Sequence, residues 1–116
     1  MELKLTTEGD PLCVQVCGRI TASAVQPDPL AALLGHDVFS RRVLLDLVQS
    51  DYLDSSGVGW LLGCQKKFRD AGGRFVIHSV TPMVMQVFRL MRLSKVLEIL
   101  PDATAAHEAL RPEVTP

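Results

Sequence analysis

The chain has 116 residues, 47% of them hydrophobic and 22% charged, enough for one domain core and too few for two. Twelve Lys and Arg against thirteen Asp and Glu leave a net charge of −1, which gives no whole-chain case for a nucleic-acid binder or a polybasic membrane protein. The longest uninterrupted apolar run, Leu30 to Leu34, falls far short of the roughly 18 residues that span a bilayer, and the opening Met-Glu-Leu-Lys-Leu-Thr-Thr lacks a signal peptide's apolar core, so a single cytoplasmic domain over 1–116 without direct membrane insertion is expected.

Leu3 and Leu5 alternate with polar residues, Glu8-Gly9-Asp10-Pro11 makes a turn, and Leu12, Val14 and Val16 repeat with period two as far as Gly18. This predicts a β-hairpin with one apolar face per strand. Thr21 to Gln26 has no clear period. Asp28-Pro29 then offers an N-cap with proline at the first helical position, and Leu30 to Leu34 forms a short helix before Gly35. Val43 to Leu47 is apolar on both faces, as a buried central strand is. A loop from Val48 to Asp54 leads to a helix from about Ser56 to Ala71, stopped by Gly72-Gly73.

Arg74 to Ser79 reads as another strand. Thr81-Pro82 opens a third helix whose buried stripe is Val84, Val87, Phe88 and Met91. Met83 and Met85 fall off that stripe, as gap fillers under a loop or as adaptable surface. Val96 to Leu100 is a short edge strand ended by Pro101, Asp102 caps a last helix to about Leu110, and Arg111 to Pro116 is a loose tail. A hairpin followed by crossover helices gives an α/β fold: a mixed sheet of four to five strands, its later strands parallel, packed with about four helices.

Cys13 and Cys17 stand about 13 Å apart on an extended strand and cannot bridge there, while Cys64 lies on a helix. Three cysteines without a C-x-x-C pair read as reduced thiols. His36, His78 and His107 fall on separate elements, so no metal site is expected.

The densest chemical signal is Tyr52-Leu53-Asp54-Ser55-Ser56-Gly57-Val58-Gly59, two hydroxyls between the end of a buried strand and the start of a helix. Helix N-termini carry free amide donors and about half a positive charge. A hydroxyl there can cap the helix, and a phosphate added to it is tolerated by amides and dipole together. Simple capping accounts for the same residues. A hydrolase elbow needs G-x-S-x-G, absent around Ser55 and Ser56. A P-loop needs a Gly-Lys-Ser/Thr that does not follow Gly57, Gly59 or Gly63. A receiver domain needs an acidic pair after the earlier strands, and only Asp46, Asp51 and Asp54 are near. No cofactor loop, general base or catalytic set emerges, and no enzyme activity is expected.

Val43-Leu44-Leu45-Asp46-Leu47, Leu53-Asp54-Ser55-Ser56-Gly57-Val58-Gly59, Ala71-Gly72-Gly73-Arg74-Phe75-Val76-Ile77 and Leu90-Met91-Arg92-Leu93 together resemble STAS domains, the bacterial anti-sigma factor antagonists and the matching domains of sulphate transporters. The resemblance runs from about Arg42 to Leu100 and extends over the N-terminal hairpin. The resemblance implies a cytoplasmic partner-switching regulator of transcription. In the bacterial antagonists a serine kinase that is also the anti-sigma factor phosphorylates the serine after the aspartate, so the resemblance implies Ser55 as the phosphorylation site, with Ser56 as the alternative, and a phosphatase that reverses the step. Many antagonists end the second strand with G-E-L-D, where this chain has Gly18-Arg19-Ile20-Thr21. A base therefore stands where an acid is usual. That leaves a second expectation open: an unphosphorylated STAS subunit, as beside the ATPase of lipid-transport ABC systems.

In the helix after the motif, Val58, Leu61, Leu62 and Phe68 make an inward stripe, and Trp60, Gly63, Cys64 and Lys67 fall on another face. Trp60 is then either an interface aromatic flanked by small residues or a core residue under a loop. The partner-binding candidates are Asp54, Ser55, Ser56, Gly57, Gly59, Trp60, Gly63, Lys67, Arg19 and Thr21. The near-neutral total conceals a division. Gly57 to Lys95 holds seven cations and one acid, the remainder five cations and twelve acids.

Overall fold

The computed structural model describes residues 1–111; most of the tail expected at 111–116 lies outside them. The strands are β1 (Glu2–Thr7), β2 (Leu12–Cys17), β3 (Arg42–Gln49), β4 (Arg74–His78) and β5 (Glu98–Leu100). The helices are α1 (Pro29–Leu34), α2 (Ser55–Ala71), α3 (Pro82–Leu90) and α4 (Ala103–Ala109), with 3-10 turns at Ala22–Ala24, His36–Ser40 and Leu93–Lys95. The sheet order is β1-β2-β3-β4-β5, antiparallel in the opening hairpin and parallel from β2 onward. This is the mixed sheet the pattern predicts.

β3 lies in the middle of the sheet with both faces covered, which is why its apolar run is continuous. Val43, Leu45 and Leu47 join the main core under α1, α2 and α3. Leu44, opposite Cys13 on β2 and Val76 on β4, packs instead with Ala106 and Leu110 beneath α4. This second layer is small, and basic side chains reinforce it. Arg42 Nη1 donates to the Leu110 carbonyl, and Arg74 Nη1 donates to the Ala109 carbonyl at 3.1 Å, satisfying α4's last carbonyls. Arg74 also pairs with both Glu98 oxygens, at 3.0 and 2.7 Å.

An aromatic cluster fastens the far end of α2. Phe68 meets Phe39 edge-on at 5.1 Å and stacks on Phe75 at 5.0 Å. The helix ends there through Gly72, left-handed at φ 82, and Gly73, where a Cβ would lie 2.3 Å from the Phe39 carbonyl oxygen.

Several boundaries depart from the sequence pattern. α2 begins at Ser55, because Asp54 rather than Ser55 is its cap. β3 runs on to Gln49, through what reads as loop. Ser79 lies beyond β4 with φ 57. α3 ends before Met91, which is exposed, and Leu93 of the following turn fills the buried place instead. Val87 is half-buried, Met85 packs against the core and Met83 stands exposed. Val96 also lies outside β5 and is exposed. In α2, Cys64 is buried while Leu62 is half-buried, so the inward stripe is rotated from the one expected.

Candidate functional site

The loop between β3 and α2 is pinned to the chain leaving β2. Ile20 N–H donates to the Tyr52 carbonyl at 3.0 Å, Asp54 N–H donates to the Ile20 carbonyl at 3.2 Å, and Ile20 and Leu53 form a parallel bridge. Ser50, fully buried, ties three elements together. Its Oγ donates to the Val16 carbonyl at 3.1 Å, its N–H to the Leu47 carbonyl at 3.0 Å, and its carbonyl accepts from Thr81 Oγ1 at 2.9 Å. Nothing in the sequence marks Ser50, since a serine inside a loop carries no signal of its burial.

Asp54 Oδ1 accepts from Gly57 N–H at 3.0 Å and caps α2. Gly57 is there because nothing larger fits: a Cβ would lie 2.4 Å from the Ile20 oxygen and 2.9 Å from its Cγ2. The close approach seats the helix start against the two strand-end loops. Ser55 and Ser56 occupy the first turn, both exposed, and neither hydroxyl makes a side-chain hydrogen bond among the described residues. Ser55 is therefore an accessible hydroxyl on a helix start whose own cap is already supplied.

Along α2, Ser56, Gly59, Trp60, Gly63 and Lys67 form one wall of an open groove of about 580 Å³. The segment from Ala22 to Asp28 forms the other. Five of the residues singled out in the sequence are thus brought together on one surface. Added Cβ atoms at Gly59 and Gly63 meet nothing within 4 Å, so these glycines keep the groove open and serve no close contact within the chain.

Of the two places open to Trp60, projecting or core, it takes the core one. It is 7% exposed, belongs to the core, and shows the groove only an edge. The reason is Asp28, whose Oδ1 accepts from Trp60 Nε1 at 3.0 Å and from Leu30 N–H at 3.0 Å, while Oδ2 accepts from Lys67 Nζ at 2.7 Å. One carboxylate caps α1 and locks both polar ends of the groove wall. Burial alone would raise the Asp28 carboxyl, but Lys67 and Trp60 hold it below its ordinary value. The cap role is legible from Asp28-Pro29; the two long-range partners are not. Cys64, beneath this cluster, has its thiol pushed up by burial.

Arg19 and Thr21 flank Ile20 on the same side of the sheet end. The Arg19 guanidinium lies 4.2 Å from the Tyr52 ring centroid, both residues exposed, and Thr21 Oγ1 is 3.4 Å from Ser23 Oγ. The opposite sheet face holds a different cluster. His78, at the end of β4, is buried with Nδ1 2.8 Å from Ser79 Oγ, and burial holds its ring below the ordinary histidine value. His107 Nε2 lies 3.9 Å from Cys13 Sγ, a proximity that linear spacing conceals. Among the described residues, no three His, Cys, Asp or Glu side chains are arranged to hold a metal ion, and no helix is long and apolar enough to cross a membrane.

Known proteins share this architecture. A family model described as "Mlab, STAS domain" matches residues 3–101. The anti-sigma-B factor antagonist of Listeria monocytogenes is 30% identical over 91 residues, covering 78% of this chain and 79% of that protein. An anti-sigma-factor antagonist (STAS) domain protein from Planctomyces limnophilus superimposes with a TM-score of 0.77 at 20% identity, covering 93% of this chain and 97% of that one. The Bacillus cell fate determinant SpoIIAA in its phosphorylated form gives 0.66 at 18% identity, covering 95% and 100%. With its sheet order, its capped Asp54-Ser55-Ser56-Gly57 helix start and these matches, the chain belongs to the STAS domain family and has the fold of the anti-sigma factor antagonists.

Proposed function

We propose that this protein is a partner-binding switch of the anti-sigma factor antagonist kind. Its unphosphorylated form binds a serine kinase that is also an anti-sigma factor, phosphorylation of Ser55 releases it, and a phosphatase resets it. The observation that carries the reading is the exposed Ser55 hydroxyl at the start of a helix already capped by Asp54. A kinase reaches this hydroxyl without unfolding the helix, and the phosphate gained meets a favourable dipole.

The partner's footprint, in this reading, runs from Asp54 and Ser55 along the Ser56–Gly59–Gly63 side of α2 to Lys67, with Arg19 and Thr21 at its margin. A phosphate adds −1.5 to −2 charges beside Asp54, and a desolvated or acidic partner surface is repelled by it. Release by 10³-fold requires about 4 kcal/mol, within the cost of one unpaired buried charge.

The test is phosphorylation by the cognate kinase with ATP, the phosphate then mapped by mass spectrometry. Incorporation at Ser55, and none in Ser55→Ala, supports the switch; an active kinase that labels neither Ser55 nor Ser56 sinks it. Arg19 supports a second reading. It stacks on Tyr52 at the position where an acid is usual, which suits a STAS subunit held constitutively in a membrane-transport ATPase complex, such as a lipid-transport ABC system. Equal partner affinity for Ser55→Glu and Ser55→Ala is the result that selects it.

A further inference from the structure

α3 starts beyond the carboxyl end of β4, as α2 starts beyond that of β3, so its own end lies at the amino-terminal edge of the parallel strands, far from Ser55. There Arg92 turns left-handed at φ 52 and the Leu93–Lys95 turn leads toward β5. Leu93 and Leu97 are buried, and the Leu93 carbonyl accepts from Val96 N–H at 3.0 Å and from Leu97 N–H at 2.7 Å. This anchoring holds Leu90, Met91 and Val96 outward, at 83%, 51% and 53% exposed. Arg89, Arg92 and Lys95 belong to the same segment, all exposed, and none is ion-paired among the described residues. No Asp or Glu occurs from Ala71 to Leu97.

We propose that Arg89–Val96 is a second interaction surface, one that takes a short amphipathic acidic segment of a partner protein. Three exposed apolar side chains and three unpaired cations within Arg89–Val96 complement a short segment that carries both carboxylates and apolar residues. Two of the cations are arginines, whose fork geometry suits carboxylates, and Met91 adapts to the shape of its contact. The anchored turn is already in place, so binding orders little of this chain. A protein is favoured over an anionic bilayer by the small extent of the apolar surface. The apolar side chains sit around one turn and do not form the long apolar face of a membrane-surface helix. The proposal does not rest on phosphorylation of Ser55.

The experiment titrates the ¹⁵N-labelled full chain with a synthetic amphipathic Glu/Leu helical peptide and follows amide shifts. A peptide of the same composition, scrambled to remove the apolar stripe, is the control. The expected result is perturbation confined to Arg89–Leu97. Affinity should fall at least tenfold in Arg89→Glu/Arg92→Glu/Lys95→Glu and, separately, in Leu90→Ser/Val96→Ser. Both variants should keep the wild-type spectrum elsewhere, because the replaced side chains are exposed. Perturbation in the α2 groove, equal affinity for the scrambled peptide, or unchanged binding by either variant overturns the proposal. So does co-sedimentation with phosphatidylglycerol vesicles that the charge-reversed variant loses while no peptide shift is seen, which makes the surface a lipid site. Self-association lost in the same variant makes it a contact between copies and overturns the proposal equally.

Discussion

Gly57→Ala and Gly59→Ala alter glycines two residues apart on one helix, and their surroundings give the two changes opposite signs. At Gly57 the new methyl would lie 2.4 Å from the Ile20 oxygen, 2.9 Å from Ile20 Cγ2 and 3.1 Å from Leu53 Cβ. None of these can give way cheaply. Ile20 is fully buried, and its carbonyl accepts the Asp54 N–H at 3.2 Å. Relief requires the helix start to move out, which strains the Asp54 cap on Gly57 N–H. Overpacking costs about 1–3 kcal/mol and a weakened cap about 1, against less than 1 gained from alanine's helix propensity. The net is about 2 kcal/mol of destabilisation, which in a domain of this size lowers Tm by roughly 5–15 °C. At Gly59 the methyl meets nothing within 4 Å, so the same substitution should stabilise by roughly 0.5–1 kcal/mol. Urea unfolding followed through Trp60, the only tryptophan, measures both. A neutral Gly57→Ala or a destabilised Gly59→Ala would refute the account of how α2 is seated.

Asp28→Ala should cost about 2–3 kcal/mol, since it removes a cap and strands the Trp60 indole N–H; red-shifted, more quenchable tryptophan emission checks it. Leu110→Ala should cost about 2–4 kcal/mol and loosen α4 over Leu44 and Val76, seen as faster amide exchange on the α4 side alone. His78 is kept neutral in the fold, so between its folded value and the ordinary value near 6.5 the unfolded chain binds more protons. Its contribution is therefore complete above about pH 6.5 and is lost as pH falls through the folded value. The slope of stability against pH in that window should flatten in His78→Gln. Asp28, held low in the fold, adds a separate loss that begins as pH falls through the ordinary carboxylate value and is complete below the folded one.

Much of the fold is legible because its signals are local. β3 is apolar on both faces because both faces are covered, the Gly72-Gly73 stop works through backbone conformation and close approach, and Asp28 caps the residues just after it. What escapes the sequence is set by contacts distant along the chain. Trp60 lies on an outward face by helical spacing, yet Asp28, 32 residues earlier, folds a polar partner over its indole. Met91 fits the buried stripe of α3, but the left-handed turn at Arg92 ends the helix first and hands the core position to Leu93. Ser50 and the Cys13–His107 approach have no local pattern at all. The candidate groove sits between these cases. Its residues are visible as one side of α2, but its second wall comes from Ala22–Asp28, where the sequence shows no period.

The proposed switch stands or falls on whether a phosphate on Ser55 governs partner binding. Its most direct measurement is calorimetric titration of the cognate kinase with unmodified protein and with protein phosphorylated at Ser55 alone, Ser55→Ala and Ser55→Glu alongside. The phosphoprotein and Ser55→Glu should bind at least tenfold more weakly than the unmodified chain, a loss of about 1.4 kcal/mol or more, while Ser55→Ala should bind as the unmodified chain does. Equal affinity of the phosphorylated and unphosphorylated forms would contradict it.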